Sequence, residues 1–216
     1  MEHSIVVDVN RIKLFPTLIY SYKSEISVEQ NQIMLDAIEG NLKVNYKDIR
    51  SGKDVPFGLF QGRDDLHTLS SFKSLADFAE HLCGGILNEE GYKNQKIEIT
   101  QMWANKQVDS SVHPPHTHAN SILSGIYYLK ATDNTSGTQF FDPRAQAKVM
   151  IPRRDNQNMS NSHMYQINSE TGYGVIFPSW LQHWVPSNTD ERITISWNVI
   201  VRGEYGEPQT LQNARI

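Results

Sequence analysis

The spacing of apolar residues changes along this chain, and the change separates two kinds of structure. In the first third, a helix is predicted over residues 27–40, where Ser27 and Gln30 are spaced as a capping box and Gly40 marks the end. Apolar residues recur at helical spacing over 71–84, where Gly84-Gly85 predicts the helix end. Before both helices, "LFPTLIY" (14–20) is β-branched and aromatic with one proline, which is typical of an edge strand. The first third therefore predicts a strand followed by two helices.

From about residue 95 the period falls from 3.6 to 2 residues, which is the spacing of β-strands. Six short segments carry this pattern: "KIEITQMWAN" (96–105), "SILSGIYYLK" (121–130), "AKVMIP" (147–152), "HMYQI" (163–167), "GVIFP" (174–178) and "RITISWNVIV" (192–201). Turn-rich pieces separate them, and no helical segment intervenes. Many short strands in one block favour a β-sandwich or jelly roll.

We therefore expect an α+β, mainly β chain whose N-terminal helices support a β barrel or sandwich. The length suits one domain over residues 1–216. Within it we expect a strand and supporting helices over 1–94, a jelly-roll core over 95–203 and a tail over 204–216.

Composition excludes several classes of protein. The formal charge is −4 and the only basic doublet is Arg153-Arg154, so nothing predicts a nucleic-acid partner. Cys83 is the sole cysteine, which rules out an internal disulfide and favours a reducing compartment. The first ten residues lack the apolar segment of a secretion signal, and no apolar run approaches the roughly 18 residues of a membrane span. We expect a cytoplasmic protein with no membrane association.

Candidate chemistry begins at "HPPHTH" (113–118), which holds three of the chain's eight histidines. Pro114-Pro115 keeps the approach to His116 extended. In an extended segment His116 and His118 share a face and present two imidazoles to one point, whereas His113 has the opposite parity. An H-x-H pair by itself fits a solvated loop equally well.

A second pattern lies downstream, where "GVIFPSWLQHWVP" places His183 after a strand and a bend. Arg192 then opens a strand with two different faces. One face carries hydrogen-bonding side chains: Arg192, Thr194, Ser196 and Asn198. The other is apolar and suited to packing against helices: Ile193, Ile195, Trp197 and Val199. A buried polar row indicates a polar ligand, and an arginine at its head suits a carboxylate.

The alternative is an edge strand with its polar face in water and Arg192 paired with Asp190 or Glu191. If the histidines do form a site, neutral imidazoles with open coordination positions suit Fe²⁺, Zn²⁺ or copper. The arginine then suggests that an acid binds as co-substrate.

These motifs, taken in order, resemble the 2-oxoglutarate/Fe(II)-dependent dioxygenases, in the prolyl-hydroxylase-like branch. The match is nearest to a group of bacterial and phage oxygenases with an H-x-H motif. It rests on "HTH" (116–118), "SGIYYLK" (124–130), "GTQF" (137–140), "DPR" (142–144), "GVIFPSWLQHWVP" (174–186) and Arg192, and it covers roughly residues 100–200.

The resemblance implies a double-stranded β-helix with a metal between its sheets. It implies that His116 and His183 bind Fe²⁺ and that Arg192 binds the distal carboxylate of the co-substrate 2-oxoglutarate. Tyr128 and Thr194 match hydrogen-bonding positions beside that carboxylate. The implied activity is oxidation of a C–H bond, usually hydroxylation, with O2 consumed and 2-oxoglutarate converted to succinate and CO2. The branch suggests a prolyl substrate, and another amino acid, a peptide or a small molecule remains open.

One residue departs from the family pattern, because His118 stands where an aspartate or glutamate is usual. Three accounts follow. In the first, His118 ligates the metal, which gives the set His116, His118 and His183. In the second, Asp142 supplies a carboxylate. In the third, the coordination position is open and His118 supports the ligands without binding the metal. The i, i+2 geometry favours the first account.

Two other functions are compatible with the sequence. A cupin-like metal enzyme would use three histidines without 2-oxoglutarate, but would leave the Arg192 face unused. A non-catalytic jelly-roll binding protein would keep a metal, or only the fold, without turnover.

Overall fold

The computed structural model describes residues 10, 12–41, 59–93, 96–108, 110–144 and 149–216. Its first part contains strand β1 (Tyr20–Lys23), helix α1 (Val28–Asn41), strand β2 (Leu59–Gln61), 3-10 turns at Leu66–Thr68 and Ser70–Phe72, and helix α2 (Lys73–Glu89). The two predicted helices are confirmed. None of the helices in these ranges is long and apolar enough to cross a membrane.

Two boundaries predicted for this part are wrong. The edge strand lies at Tyr20–Lys23 and not at 14–20, because Phe15 has a positive φ of 52° and Pro16 has no N–H for a ladder. Helix α2 continues through Gly84-Gly85 to Glu89. Its turns around those glycines bury Cys83, Ile86 and Leu87, and this packing outweighs the roughly 1 kcal/mol that each glycine costs.

The second part of the chain is almost entirely strand. Its elements are β3 (Lys96–Gln107), β4 (His113–His116), β5 (Leu123–Lys130), β6 (Thr138–Phe141), β7 (Met164–Ile167), β8 (Tyr173–Pro178), β9 (His183–Val185), β10 (Arg192–Arg202), β11 (Glu204–Tyr205) and β12 (Ala214–Arg215). The predicted strand at 147–152 is not observed over 149–152, which is exposed and irregular. Residues 147 and 148 lie outside the ranges described.

The strands form a major sheet in the order β1-β8-β5-β10-β3-β2 and a minor sheet in the order β4-β9-β6-β7. Neighbouring strands in both sheets are antiparallel. This is the double-stranded β-helix, and the predicted mainly β fold class is confirmed. Within 204–216, β11 and β12 pair as a short hairpin.

Strand β10 separates the apolar core beneath the helices from the space between the two sheets. It is paired on both sides, to β3 and β5, so it is a central strand and not an edge. Its apolar face packs in one core cluster with buried residues of α1 and α2, as the alternation predicts. Gly125 on β5 lies against Trp197, and a Cβ there would stand 2.2 Å from the indole ring. The other face of β10 points into the space between the sheets.

Candidate metal centre

The two histidines of the H-x-H motif are held by different elements. His116 is the last residue of β4 and lies opposite His183 of β9 in the ladder. His118 lies beyond the strand end, where its backbone N–H donates to Ser179 O at 2.9 Å. The pair is therefore not a simple i, i+2 pair on one strand, although both rings reach the same point.

Three imidazoles converge at this edge of the minor sheet. His116, His118 and His183 each offer a ring nitrogen, and these three atoms lie within 4.8 Å of one another. The Nε2 atoms of His118 and His183 are 3.3 Å apart. Two nitrogens at about 2.1 Å from one metal ion are about 3.0 to 3.4 Å apart when their angle is between square and tetrahedral. The spacing of His118 and His183 therefore fits a shared cation.

Backbone carbonyls set the orientation of two of these rings. His116 Nδ1 lies 2.7 Å from Pro114 O, and His183 Nδ1 lies 2.9 Å from Leu181 O. A carbonyl only accepts, so each Nδ1 carries the proton and leaves a lone pair on Nε2. Such an outer hydrogen bond is the usual support of a metal-binding histidine.

The site also keeps its imidazoles neutral. Burial lowers the pKa of His118 to about 4 and that of His183 to about 3, and it lowers the pKa of His116 as well. Charge repulsion from His116 adds to the shift of the other two rings. Neutral imidazole is the form that binds a metal.

Aromatic rings contact two of the three histidines. Trp103 stacks on His118 with ring centroids 5.6 Å apart, and Phe177 meets His183 edge-on at 4.6 Å. Trp180, in the bend before His183, is 57% exposed. Burial against Trp103 and Phe177 contributes to the low pKa values of His118 and His183.

His113, which parity set aside, is a neighbour of this cluster. Its ring stacks on His116 at 4.3 Å, but it is not one of the three converging groups. Burial first, and then the charges of His116 and Arg192, hold its pKa well below the usual range. Arg192 donates to Thr138 of β6, and Phe140 of the same strand lies opposite His183, so the cluster and Arg192 lie between the same two sheets.

Arg192 is buried, with 1% of its surface exposed, in the polar row of β10. Its Nη1 donates to Gln107 Oε1 at 2.8 Å and its Nη2 to Thr138 Oγ1 at 3.4 Å. Its Nε has no hydrogen-bond partner. No ion pair among the described residues includes it.

The alternative pairing of Arg192 with its acidic neighbours is not what the structure contains. Glu191 forms ion pairs with Lys106 and Lys130, and Asp190 accepts hydrogen bonds from Thr132 and Asn134. The edge-strand explanation of the polar row is therefore wrong, since the whole row is buried and its strand is central.

Tyr128 and Thr194, which the resemblance assigns to the co-substrate carboxylate, lie beside Arg192. The guanidinium stands 5.1 Å above the Tyr128 ring, and the Tyr128 hydroxyl is 3.0 Å from Thr138 Oγ1. Thr194 is buried and opposite Tyr128 in the β10–β5 ladder. Gln107 and Thr138 were not predicted; Thr138 belongs to the "GTQF" motif, and Gln107 shares the parity of Trp103 on β3.

Asp142, the alternative source of a carboxylate, is engaged elsewhere. Its two oxygens accept hydrogen bonds from Arg144 at 2.9 and 3.0 Å. It is not part of the converging group, which over the described ranges contains only imidazoles.

Part of the chain is similar to a known protein family. Residues 101–198 match the model of a family described as "Putative 2OG-Fe(II) oxygenase". The matched segment runs from β3 into β10, so the jelly-roll part of the chain is similar to this family. The matched segment holds all three converging histidines and Arg192. No curated protein gives a significant match.

Solved structures of this oxygenase fold align along most of the chain. A prolyl-4-hydroxylase from Pseudomonas putida is 11% identical, with 86% of this chain and 94% of that chain covered and a TM-score of 0.58. A prolyl hydroxylase from Trichoplax adhaerens, in complex with a hypoxia inducible factor peptide fragment, is 15% identical, with 85% and 83% covered and a TM-score of 0.59. HygX from Streptomyces hygroscopicus, with nickel, 2-oxoglutarate and hygromycin B bound, is 11% identical, with 85% and 82% covered and a TM-score of 0.57. At these identities the likeness concerns the fold, and the predicted resemblance to the family is confirmed.

Proposed function

We propose that this chain is a 2-oxoglutarate- and Fe²⁺-dependent dioxygenase that hydroxylates a C–H bond. One observation carries the proposal. A buried guanidinium with a free N–H and no acidic partner lies between the same two sheets as three neutral imidazoles whose nitrogens converge. A pocket with cation-binding atoms at one end and anion-binding atoms at the other suits a ligand that chelates a metal and carries a distal carboxylate.

His116, His118 and His183 would hold the metal. When bound there, Fe²⁺ supplies the reaction with O2 that couples decarboxylation of 2-oxoglutarate, to succinate and CO2, with oxidation of the substrate. The protein's own part is to orient the rings: Pro114 O and Leu181 O hold the Nδ1 protons of two of them. Burial keeps the three imidazoles neutral.

Arg192 would bind the distal carboxylate of 2-oxoglutarate. Burial makes a charge-assisted hydrogen bond strong there, since water does not compete for the anion. Tyr128 supports the guanidinium with its ring face and brings a hydroxyl to the same place. Thr194 lies next to both in the ladder and completes the predicted set of co-substrate residues.

The proposed substrate is a prolyl or another amino-acid residue, free or within a peptide. Support comes from the two prolyl hydroxylases of similar fold, one of which was solved with a peptide fragment bound. HygX, solved with hygromycin B, shows that the fold also accommodates a small molecule. The protein would need 2-oxoglutarate, O2 and this substrate, and no nucleic acid.

A three-histidine metal enzyme that does not use 2-oxoglutarate is the second candidate. It is favoured by the imidazole-only composition of the converging group in the described part of the chain. It leaves the buried charge of Arg192 without a ligand, and burying an unpaired charge is costly.

Anaerobic titration separates the two candidates. Addition of Fe²⁺ and then 2-oxoglutarate to the wild-type protein should produce a visible charge-transfer band at about 500 nm. Arg192→Ala should weaken 2-oxoglutarate binding about a hundredfold and leave Fe²⁺ affinity unchanged. Arg202→Ala is the matched control, because Arg202 is exposed and paired with Glu98.

Three results would contradict the proposal. Iron binding without any band supports the enzyme that does not use 2-oxoglutarate. Absence of metal binding supports the non-catalytic binding protein. A band that survives Arg192→Ala at wild-type 2-oxoglutarate concentrations removes Arg192 from the mechanism.

A further inference from the structure

Gln107 is the residue that holds Arg192, and no sequence motif pointed to it. It is the last residue of β3 and lies opposite Arg192 in the β10–β3 ladder. It is completely buried, and its Oε1 accepts a hydrogen bond from Arg192 Nη1 at 2.8 Å. The contact fixes which way the amide faces: the oxygen is toward the guanidinium, so Nε2 points elsewhere.

That Nε2 has no hydrogen-bond partner, and neither does Arg192 Nε. A buried donor left unpaired costs about 1 to 3 kcal/mol, and these two lie on neighbouring, mutually bonded side chains. Both are N–H donors. An oxygen acceptor satisfies them, and a carboxylate oxygen also complements the charge of Arg192.

The neutrality of Gln107 matters as much as its free N–H. A glutamate at this position would also accept from Arg192, but it would cancel the positive charge. The acids next to Arg192 in sequence are already turned to Lys106, Lys130, Thr132 and Asn134. Arg192 therefore contacts the amide of Gln107, the hydroxyl of Thr138 and the ring face of Tyr128, all of which are uncharged. Its positive charge stays available to an anion.

We propose that Gln107 determines the specificity of the Arg192 pocket for a co-substrate with a distal carboxylate, by donating Nε2–H to that carboxylate while leaving the charge of Arg192 uncancelled. The inference rests on the proposed function, because the carboxylate is that of 2-oxoglutarate. It makes Gln107 a binding residue that touches the co-substrate, in addition to the residues that the family motifs indicate.

The test is a cycle of two variants and two ligands. Gln107→Glu keeps the shape and the acceptor for Arg192 but adds a negative charge. Gln107→Leu removes the amide. Each is titrated anaerobically in its Fe²⁺-loaded form with 2-oxoglutarate and with 2-oxopentanoate, which has the same chain length and no distal carboxylate. Binding is read from the charge-transfer band, and Fe²⁺ affinity is measured first as a check on the fold.

We expect Gln107→Glu to weaken 2-oxoglutarate binding about a hundredfold and to change 2-oxopentanoate binding by less than about threefold. Gln107→Leu should weaken only 2-oxoglutarate, by about tenfold. Gln101→Glu is the matched control, since Gln101 is on the same strand but exposed, and it should bind both ligands as the wild type does.

Either of two results overturns the inference: a Gln107 variant that binds 2-oxoglutarate as tightly as wild type, or an equal loss for both ligands, which would assign Gln107 to packing alone. If Gln107→Glu binds no iron, Gln107→Leu decides by the same ligand comparison. A wild-type protein that binds no 2-oxoglutarate defeats the proposed function itself, and the inference falls with it. The two failures are thereby distinguishable.

Discussion

The two ends of the proposed co-substrate site satisfy their polar groups in opposite ways. At the histidine end, the outward nitrogens of His116 and His183 face backbone carbonyls, and the inward nitrogens converge as lone pairs. At the arginine end, the side chains hold one another, and the atoms left over are N–H donors on Arg192 and Gln107. One end is prepared for a cation and the other for an anion.

Neither end of the site identifies the ligand by itself. Converging imidazoles occur in metal sites of many chemistries, and a buried arginine is often structural. Together they indicate a ligand that has metal-binding atoms at one end and a negative charge at the other. A substitution at the histidine end should therefore lower metal affinity. A substitution at the arginine end should lower 2-oxoglutarate affinity and leave metal affinity unchanged.

The largest effect is expected from His183→Ala. It removes the most buried of the three rings and leaves two ligand nitrogens, so Fe²⁺ or Co²⁺ affinity should fall by more than about a hundredfold. Metal titration followed by tryptophan fluorescence or Co²⁺ absorption measures it. His81→Ala, on helix α2, is the control and should bind metal normally. Tight metal binding by His183→Ala would place the ion elsewhere.

A smaller loss, of more than about tenfold in metal affinity, is expected for His118→Ala if this ring ligates. His118→Asp should restore binding, because it returns a carboxylate to the position where the family usually has one. The same metal titration applies. Unchanged affinity in His118→Ala would instead favour Asp142 as a ligand or an open coordination position.

The smallest effect is expected for Tyr128→Phe at the arginine end. The ring stays on Arg192 and only the hydroxyl is lost, so 2-oxoglutarate affinity should fall about three- to tenfold with metal affinity unchanged. Tyr127→Phe is a matched control, because that hydroxyl bonds Asn31 of helix α1 on the opposite face of the sheet. It should lower the free energy of unfolding and spare 2-oxoglutarate binding; the reverse pattern would refute the assignment of faces.

Strand β10 shows how much of this the sequence could predict. Strict alternation assigned one face to the helices and the other to a polar ligand, and both assignments require only a period of two residues. The structure buries both faces, as expected for a central strand between the helices and the pocket. The face on which each side chain of a regular strand lies was thus predictable from the parity of its residue number.

Contacts that depend on sheet pairing were not predictable in this way. Gln107 meets Arg192 because β3 and β10 pair in one register, and Thr138 meets it from the other sheet. Nothing in the spacing of these residues along the chain encodes either contact. His118 shows the same limit, since its place is set by a hydrogen bond to Ser179 beyond the end of β4 and not by the strand itself.

The bend from Pro178 to His183 has a consequence for how this centre could be lost. Its Ser179 carbonyl holds the backbone of His118 and its Leu181 carbonyl orients His183, while Leu181 N–H donates to Pro178 O and closes the turn at 2.9 Å. Two of the three imidazoles therefore take their positions from six consecutive residues. A change in the length of this bend would displace both rings together, so a deletion of one residue could abolish the centre with every histidine still present.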